Sequence, residues 1–204
     1  MTTPLHVNPD NHNPVVLLTQ VDQAILERRP AQIIPLLKEV VAKLDPALGF
    51  YNGELRFWLG WAEEVSGDHS AAQQTWRQAR TELEPFLQHQ PDNYNLIGDL
   101  ALTNMFLGNK EAAFALIEQA KAAVPLEKDA LDGPVPIEIL ARVAAQMGEP
   151  DLAITALQKI LSMPYEEALA ASAGLTPALL RLDPMFDPLR KDPRFQKLCE
   201  EKPK

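Results

Sequence analysis

A single cysteine, Cys199, stands in 204 residues, so neither an internal disulfide nor a cysteine zinc site can form within the chain. Basic residues are in the minority: 19 Lys and Arg against 28 Asp and Glu leave a formal charge of −9, which repels phosphate backbones and anionic lipid. Nucleic acid and membranes are therefore poor partners. No run approaches the roughly 18 apolar residues that a bilayer crossing needs, and the opening MTTPLHVNPDNHNP lacks the charged start and apolar core of a secretory signal. The expectation is a cytoplasmic protein.

Catalytic signatures are also missing. The chain has no Gly-rich phosphate loop and no Gly-x-Ser-x-Gly elbow. Of its four histidines, His6 and His12 fall in a polar opening segment, and His69 and His89 fall at helix ends without the close spacing of a zinc-binding helix. Glu63-Glu64 and Glu166-Glu167 are sequence neighbours, which a helix turns about 100° apart. Cys199 adjoins Glu200 and Glu201, whose charge disfavours a thiolate. No catalytic residue, cofactor or metal is assigned, and the reading is of a protein that is not an enzyme.

What is present is a repeat. Ala72, Trp76, Ala79 and Leu83 form an apolar stripe with the step of one helix face, and it returns about forty residues on at Ala113, Ile117, Ala120 and Val124. A further copy is Ala153, Leu157 and Ile160, and a forerunner is Ile33, Leu37, Val40 and Leu44. Gly67, Gly108 and Gly148 each stand five residues before the stripe, where a preceding helix stops in a left-handed residue. Asp68 and Asn109 follow as helix caps, and Pro150 suits a first turn. Upstream, Leu59-Gly60, Leu100-Ala101 and Leu140-Ala141 place a small residue where two helices approach. Pro46, Pro85, Pro125 and Pro164 lie near the ends of the second helices. The unit is two antiparallel helices joined by a tight turn.

These residues resemble the tetratricopeptide repeat, most cleanly through Gly60, Gly67, Ala72, Trp76, Ala79 and Pro85, and again through Ala101, Gly108, Ala113, Ala120 and Pro125. The period is longer than the family's, Glu63 replaces an aromatic, and Arg28 replaces the turn glycine in the N-terminal unit. KDALDGP (128–134) and LLRLDPMFDPLRKDPRFQKL (179–198) look similar to the ends of tetratricopeptide regions in bacterial signalling proteins that carry kinase, cyclase or winged-helix domains.

The expected architecture is all-α: a tail over 1–14, a tetratricopeptide-like solenoid over 15–165 (about 15–46, 53–85, 92–125 and 135–164), and a capping segment over 166–204. In that cap, Asp183-Pro184, Asp187-Pro188 and Asp192-Pro193 each suit the start of a short turn. Met185, Phe186, Leu189, Phe195 and Leu198 supply apolar cover for the last repeat.

The resemblance implies that the first helices of each unit line a concave face. Phe57, Trp61, Leu102 and Met105 would then face a groove rimmed by Glu54, Glu64 and Arg142. An alternative reading packs Phe57 and Trp61 against the N-terminal unit, and Trp58 and Trp76 are read as core. The Lys, Asn and Arg clamp that grips a peptide carboxylate in this family is not assembled here, so an acidic tail is a poor ligand. An amphipathic helix or extended segment with apolar anchors and positive charge fits better. The function this implies is a protein-interaction adaptor. The rivals are a regulatory module acting with a separate kinase, cyclase or transcription factor, an enzyme with an unfamiliar site, and homo-oligomerisation through an uncovered face.

Overall fold

The computed structural model describes residues 14–43, 45–163 and 174–200, and every regular element among them is helical. Helices α1 (Pro14–Leu26) and α2 (Ile34–Val41) are followed by α3 (Tyr51–Val65) and α4 (His69–His89), then α5 (Tyr94–Phe106) and α6 (Lys110–Ala123), then α7 (Val135–Gln146) and α8 (Pro150–Ile160). Helix α9 (Pro177–Leu182), a 3₁₀ segment (Pro184–Leu189) and α10 (Pro193–Leu198) close the chain. Pairs α3/α4, α5/α6 and α7/α8 pack most extensively. Leu44, Pro164, Glu166-Glu167, His6 and His12 lie outside the described residues.

The three hairpin turns repeat one motif. Gly67, Gly108 and Gly148 have φ of +90°, +78° and +77°, a region closed to most side chains. In each turn the next amide reaches back to the first helix: Asp68 N to Glu63 O at 3.0 Å, Asn109 N to Asn104 O at 2.9 Å, Glu149 N to Ala144 O at 2.9 Å. The N-terminal pair makes the same closure, Arg29 N to Ala24 O at 2.8 Å, with Arg28 at φ +59° in the glycine position. A side chain there carries strain of about 1–2 kcal/mol.

The stripe is core. Ala72, Ala113 and Ala153 are fully buried, as are Trp76, Ile117 and Leu157 beside them. Gly60 admits the Trp76 indole so closely that a Cβ there would lie 2.4 Å from its Nε1. Ile33, just before α2, and Leu37 and Val41 within it are buried, so the stripe turns one residue later than the spacing of Val40 predicts. Pro85 does not end its helix, since α4 continues to His89. Asp68 caps α4 through Ala71 N, but Asn109 instead donates to Asn104 Oδ1 at 3.1 Å.

Glu63, at the position where an aromatic is expected, is buried without an apolar substitute. Its carboxylate accepts from Thr75 Oγ1 at 2.7 Å and pairs with Lys38 Nζ at 2.9 Å, tying α2, α3 and α4 together.

The C-terminal segment covers the last hairpin. Met185, Phe186, Leu189 and Phe195 are buried, Gln146 Nε2 donates to Met185 O at 2.6 Å, and Arg194 pairs with Asp151 of α8 at 2.6 Å. Asp183 and Asp192 cap the turns that follow them, through Met185 N and Arg194 N, both at 2.8 Å. Asp187-Pro188 opens the last turn of the 3₁₀ segment, Arg190 N donating to Asp187 O at 3.1 Å, while the Asp187 side chain is used in an ion pair. That pair joins the turn after α1 to the 3₁₀ segment: Arg28 donates to both Asp187 oxygens at 2.7 and 2.6 Å across 159 residues.

Candidate functional site

The residues expected to line an open groove are mostly interior. Phe57 and Leu102 are fully buried, Trp61 and Met105 nearly so, and Arg142 is 2% exposed. Phe57, Trp58 and Trp61 form an aromatic cluster on α3, with Trp58 and Trp61 ring centres 5.1 Å apart, and Phe57 reaches Phe106 at 6.0 Å. The buried face of α1, Leu17, Leu18, Val21, Ala24 and Ile25, packs into the same core and leans on α3. The alternative places Phe57 and Trp61 against the N-terminal unit; α1 does pack on α3, and Phe57 also meets Phe106 of α5.

Arg142 is no rim residue. Its Nη2 and Nε donate to Glu138 Oε1 at 2.7 and 3.0 Å, its Nη1 to Asp183 Oδ2, and its guanidinium lies 5.4 Å from the Phe186 ring centre. Asp22 on α1 sits in the field of this cluster. Burial pushes its carboxyl up to about 6, Arg142 opposes the rise, and Asp183 and Glu138 add to it. The Glu138 and Arg142 spacing of one helical turn is visible in the sequence, whereas Asp22 and Asp183 join only in the fold.

Glu54 and Asp99 form a second acidic centre. Burial pushes the Glu54 carboxyl up to about 7, partly offset by the indole N–H of Trp58 one turn along. That N–H turns toward the carboxylate without reaching hydrogen-bond geometry, the single buried side-chain donor so placed among the described residues. Asp99 is also held well above the usual carboxylate range, by burial first and by Glu54 second. An unfolded glutamate ionises near 4.5, so between that pH and about 7 the folded state binds the extra proton. Glu54 therefore favours folding most at the acid end, and stability falls as pH rises through about 7. Glu54→Gln is expected to stabilise the chain by about 2 kcal/mol at pH 8 and by little at pH 4. Urea unfolding at both pH values checks this, and equal effects at the two would contradict it.

The remaining expected residues meet at a cavity. About 520 Å³ in volume, it opens where the C-terminal ends of α3, α5 and α7 approach the 3₁₀ segment, and Trp61, Glu64 and Met105 line it. Phe57, Leu102, Glu54 and Arg142 do not. The sequence reading missed Phe106, Gln73, Gln146, Met147 and the 3₁₀ wall at Pro184–Pro188. Phe106 was detectable as the residue following Met105 on the same inner helix. The turns of the 3₁₀ wall were signalled by Asp183-Pro184 and Asp187-Pro188, but their place beside α3 and α5 had no local signal.

Trp76 and Phe106 stack at 4.2 Å with ring planes 6° apart, and the half-buried Phe106 ring belongs to the wall. Gln73 Nε2 donates to Phe106 O at 2.8 Å and so holds α4 to the end of α5. Glu64 pairs with the exposed His69 at 2.9 Å, which raises the imidazole's pKa. Elsewhere, burial pushes the Cys199 thiol up, with Arg190 and Arg181 opposing, so burial rather than its acidic neighbours disfavours the thiolate. The described residues hold no cluster of three or more potential metal ligands, and no described helix is long and apolar enough to cross a membrane. Set against protein families, curated proteins and solved structures, the chain has no match.

Proposed function

We propose that the chain is a tetratricopeptide-like adaptor that holds a segment of a partner protein in the cavity at the ends of α3, α5 and α7. The observation that carries this reading is the cavity's composition. Trp61, Met105, Phe106 and Met147 provide adaptable apolar area, while Glu64, Gln73 and Gln146 provide polar groups for orientation. The helix pairs supply a rigid frame, because the buried small-residue stripes fix each hairpin independently of the residues facing the cavity. Three residues expected from sequence to bind a partner, Trp61, Glu64 and Met105, lie here.

Trp61→Ala is a poor test, since a 2% exposed indole is core and its loss destabilises the chain. Val65 and Met147 are only partly buried and line the cavity. The double variant Val65→Glu/Met147→Glu is expected to keep its helical circular dichroism and to lose partners captured from the native cell extract. The exposed pair Gln78→Glu/Thr81→Glu on α4 is the control and should capture as wild type does. Equal capture by all three proteins would overturn the assignment of the cavity.

A further inference from the structure

Among the described residues, the ionisable side chains that line the cavity are Glu64 and Asp187, with no Lys, Arg or His. The two carboxylates differ in availability. Asp187 is already taken: Arg28 covers both of its oxygens, and Arg190 Nε donates to Oδ1 at 3.1 Å. Arg28 makes that contact from a left-handed backbone, so a guanidinium is held at the cavity's edge despite local strain.

Glu64 is the available one. Its side-chain partner among the described residues is His69, which is 71% exposed and charged only when protonated. Such a surface pair is weak. Gln73 and Gln146 each spend an amide N–H on a backbone carbonyl of the wall, Phe106 O and Met185 O, which leaves their side-chain oxygens as acceptors. Phe106, held by Trp76 stacked on one face of its ring, is half-buried and lines the cavity, where it offers apolar surface to an aliphatic stem. Arg28 and Arg190 are both turned to Asp187, so among the described lining residues the carboxylate that a ligand's charge would meet is that of Glu64. A volume of about 520 Å³ accommodates a long side chain with part of its backbone.

We propose that this cavity is an anchor site for a cationic side chain, an arginine or lysine of the partner segment, with Glu64 as its charge partner and Phe106 against its stem. The inference rests on the adaptor reading and deepens it. His69 is the internal competitor for Glu64; the charged groups around the site include Asp68, the Asp187, Arg28 and Arg190 cluster, and Lys110, which donates to Met147 O at 3.2 Å and pairs with Glu149.

Capped Leu-Arg-Leu, its neutral isostere Leu-citrulline-Leu and Leu-Glu-Leu are suitable probes, titrated into full-length protein labelled with ¹³C-methyl methionine. Met105, Met147 and Met185 line the cavity and report binding through their methyl shifts. The arginine probe is expected to saturate these shifts about tenfold more tightly than the citrulline probe, and the glutamate probe to bind more weakly than either. Glu64→Gln should reduce the arginine preference to under about twofold, while His69→Ala should tighten arginine binding by about two- to fivefold. Equal affinity for arginine and citrulline, or an unchanged preference in Glu64→Gln, would overturn the cationic anchor and leave the adaptor reading standing. Failure of all three probes to move the methionine methyls would overturn both.

Discussion

Arg142→Met is expected to destabilise the chain by about 3–5 kcal/mol, because it removes the cation between two buried carboxylates. Glu138 is fully buried, Asp183 is 2% exposed, and Asp22 lies within reach of both electrostatically. Methionine fills much of the volume, so the loss is electrostatic more than steric. Burial already pushes the Asp22 carboxyl up to about 6 against the opposing field of Arg142, so removal of Arg142 raises it further. The destabilisation should therefore shrink as pH falls from 8 to 4. Combining Arg142→Met with Glu138→Gln and Asp183→Asn should recover most of it, since the amide at 183 can still accept from Met185 N. Urea unfolding across pH measures each step; a loss that does not vary with pH would show that Arg142 acts through packing.

Gly60→Ala is the second large effect, and its sign discriminates between two accounts. Helix propensity alone predicts stabilisation of about 1 kcal/mol in a helix interior. The packing predicts the reverse. A Cβ at 60 would stand 2.4 Å from Trp76 Nε1 and 2.6 Å from its Cδ1. The indole has little freedom to withdraw, because it donates to Phe57 O at 3.2 Å and stacks on Phe106. A net loss of about 2–3 kcal/mol follows. The companion variant Gly60→Ala/Trp76→Leu should show favourable coupling, the smaller side chain relieving the contact. Thermal unfolding reads both, and a more stable Gly60→Ala would refute close packing at this crossing.

The contrast between these positions explains what was legible in the sequence. Gly60, the turn glycines and the Ala72 to Leu83 stripe are local: each is fixed by its own helix and by the neighbour one short turn away. Their spacing therefore reports the all-α hairpins directly. Arg142 looks the same in sequence as an exposed rim residue, because its burial depends on Asp183, 41 residues on, and on α1. Phe57 and Leu102 fall on the face that a repeat array leaves inward, but the array alone does not say what covers that face. Here α1 and the C-terminal segment contribute to the same core.

Glu63 shows a related limit. A charged residue in an aromatic position reads as an exposed exception, yet Lys38 and Thr75 on two other helices make it a buried tie. Asp99 and Glu54 come from successive inner helices, and their mutual influence arises only when α3 and α5 lie side by side. For the cavity, Trp61, Glu64 and Met105 were found because they project from the ends of inner helices. The Asp-Pro pairs and the apolar residues among them predict a cap on the last repeat, but not that its near edge, Pro184 to Pro188, also walls a cavity against α3 and α5.

The turn after α1 and the 3₁₀ segment meet at Arg28 and Asp187, and that segment forms one wall of the cavity at the ends of α3, α5 and α7. The most direct test places spin labels at the exposed positions Glu27 and Lys191, which flank the Arg28–Asp187 contact without removing it, in a Cys199→Ser background. Pulsed electron resonance should give a single narrow distribution at short distance. A broad distribution, or a separation as long as the stack of helix pairs, would contradict the closure.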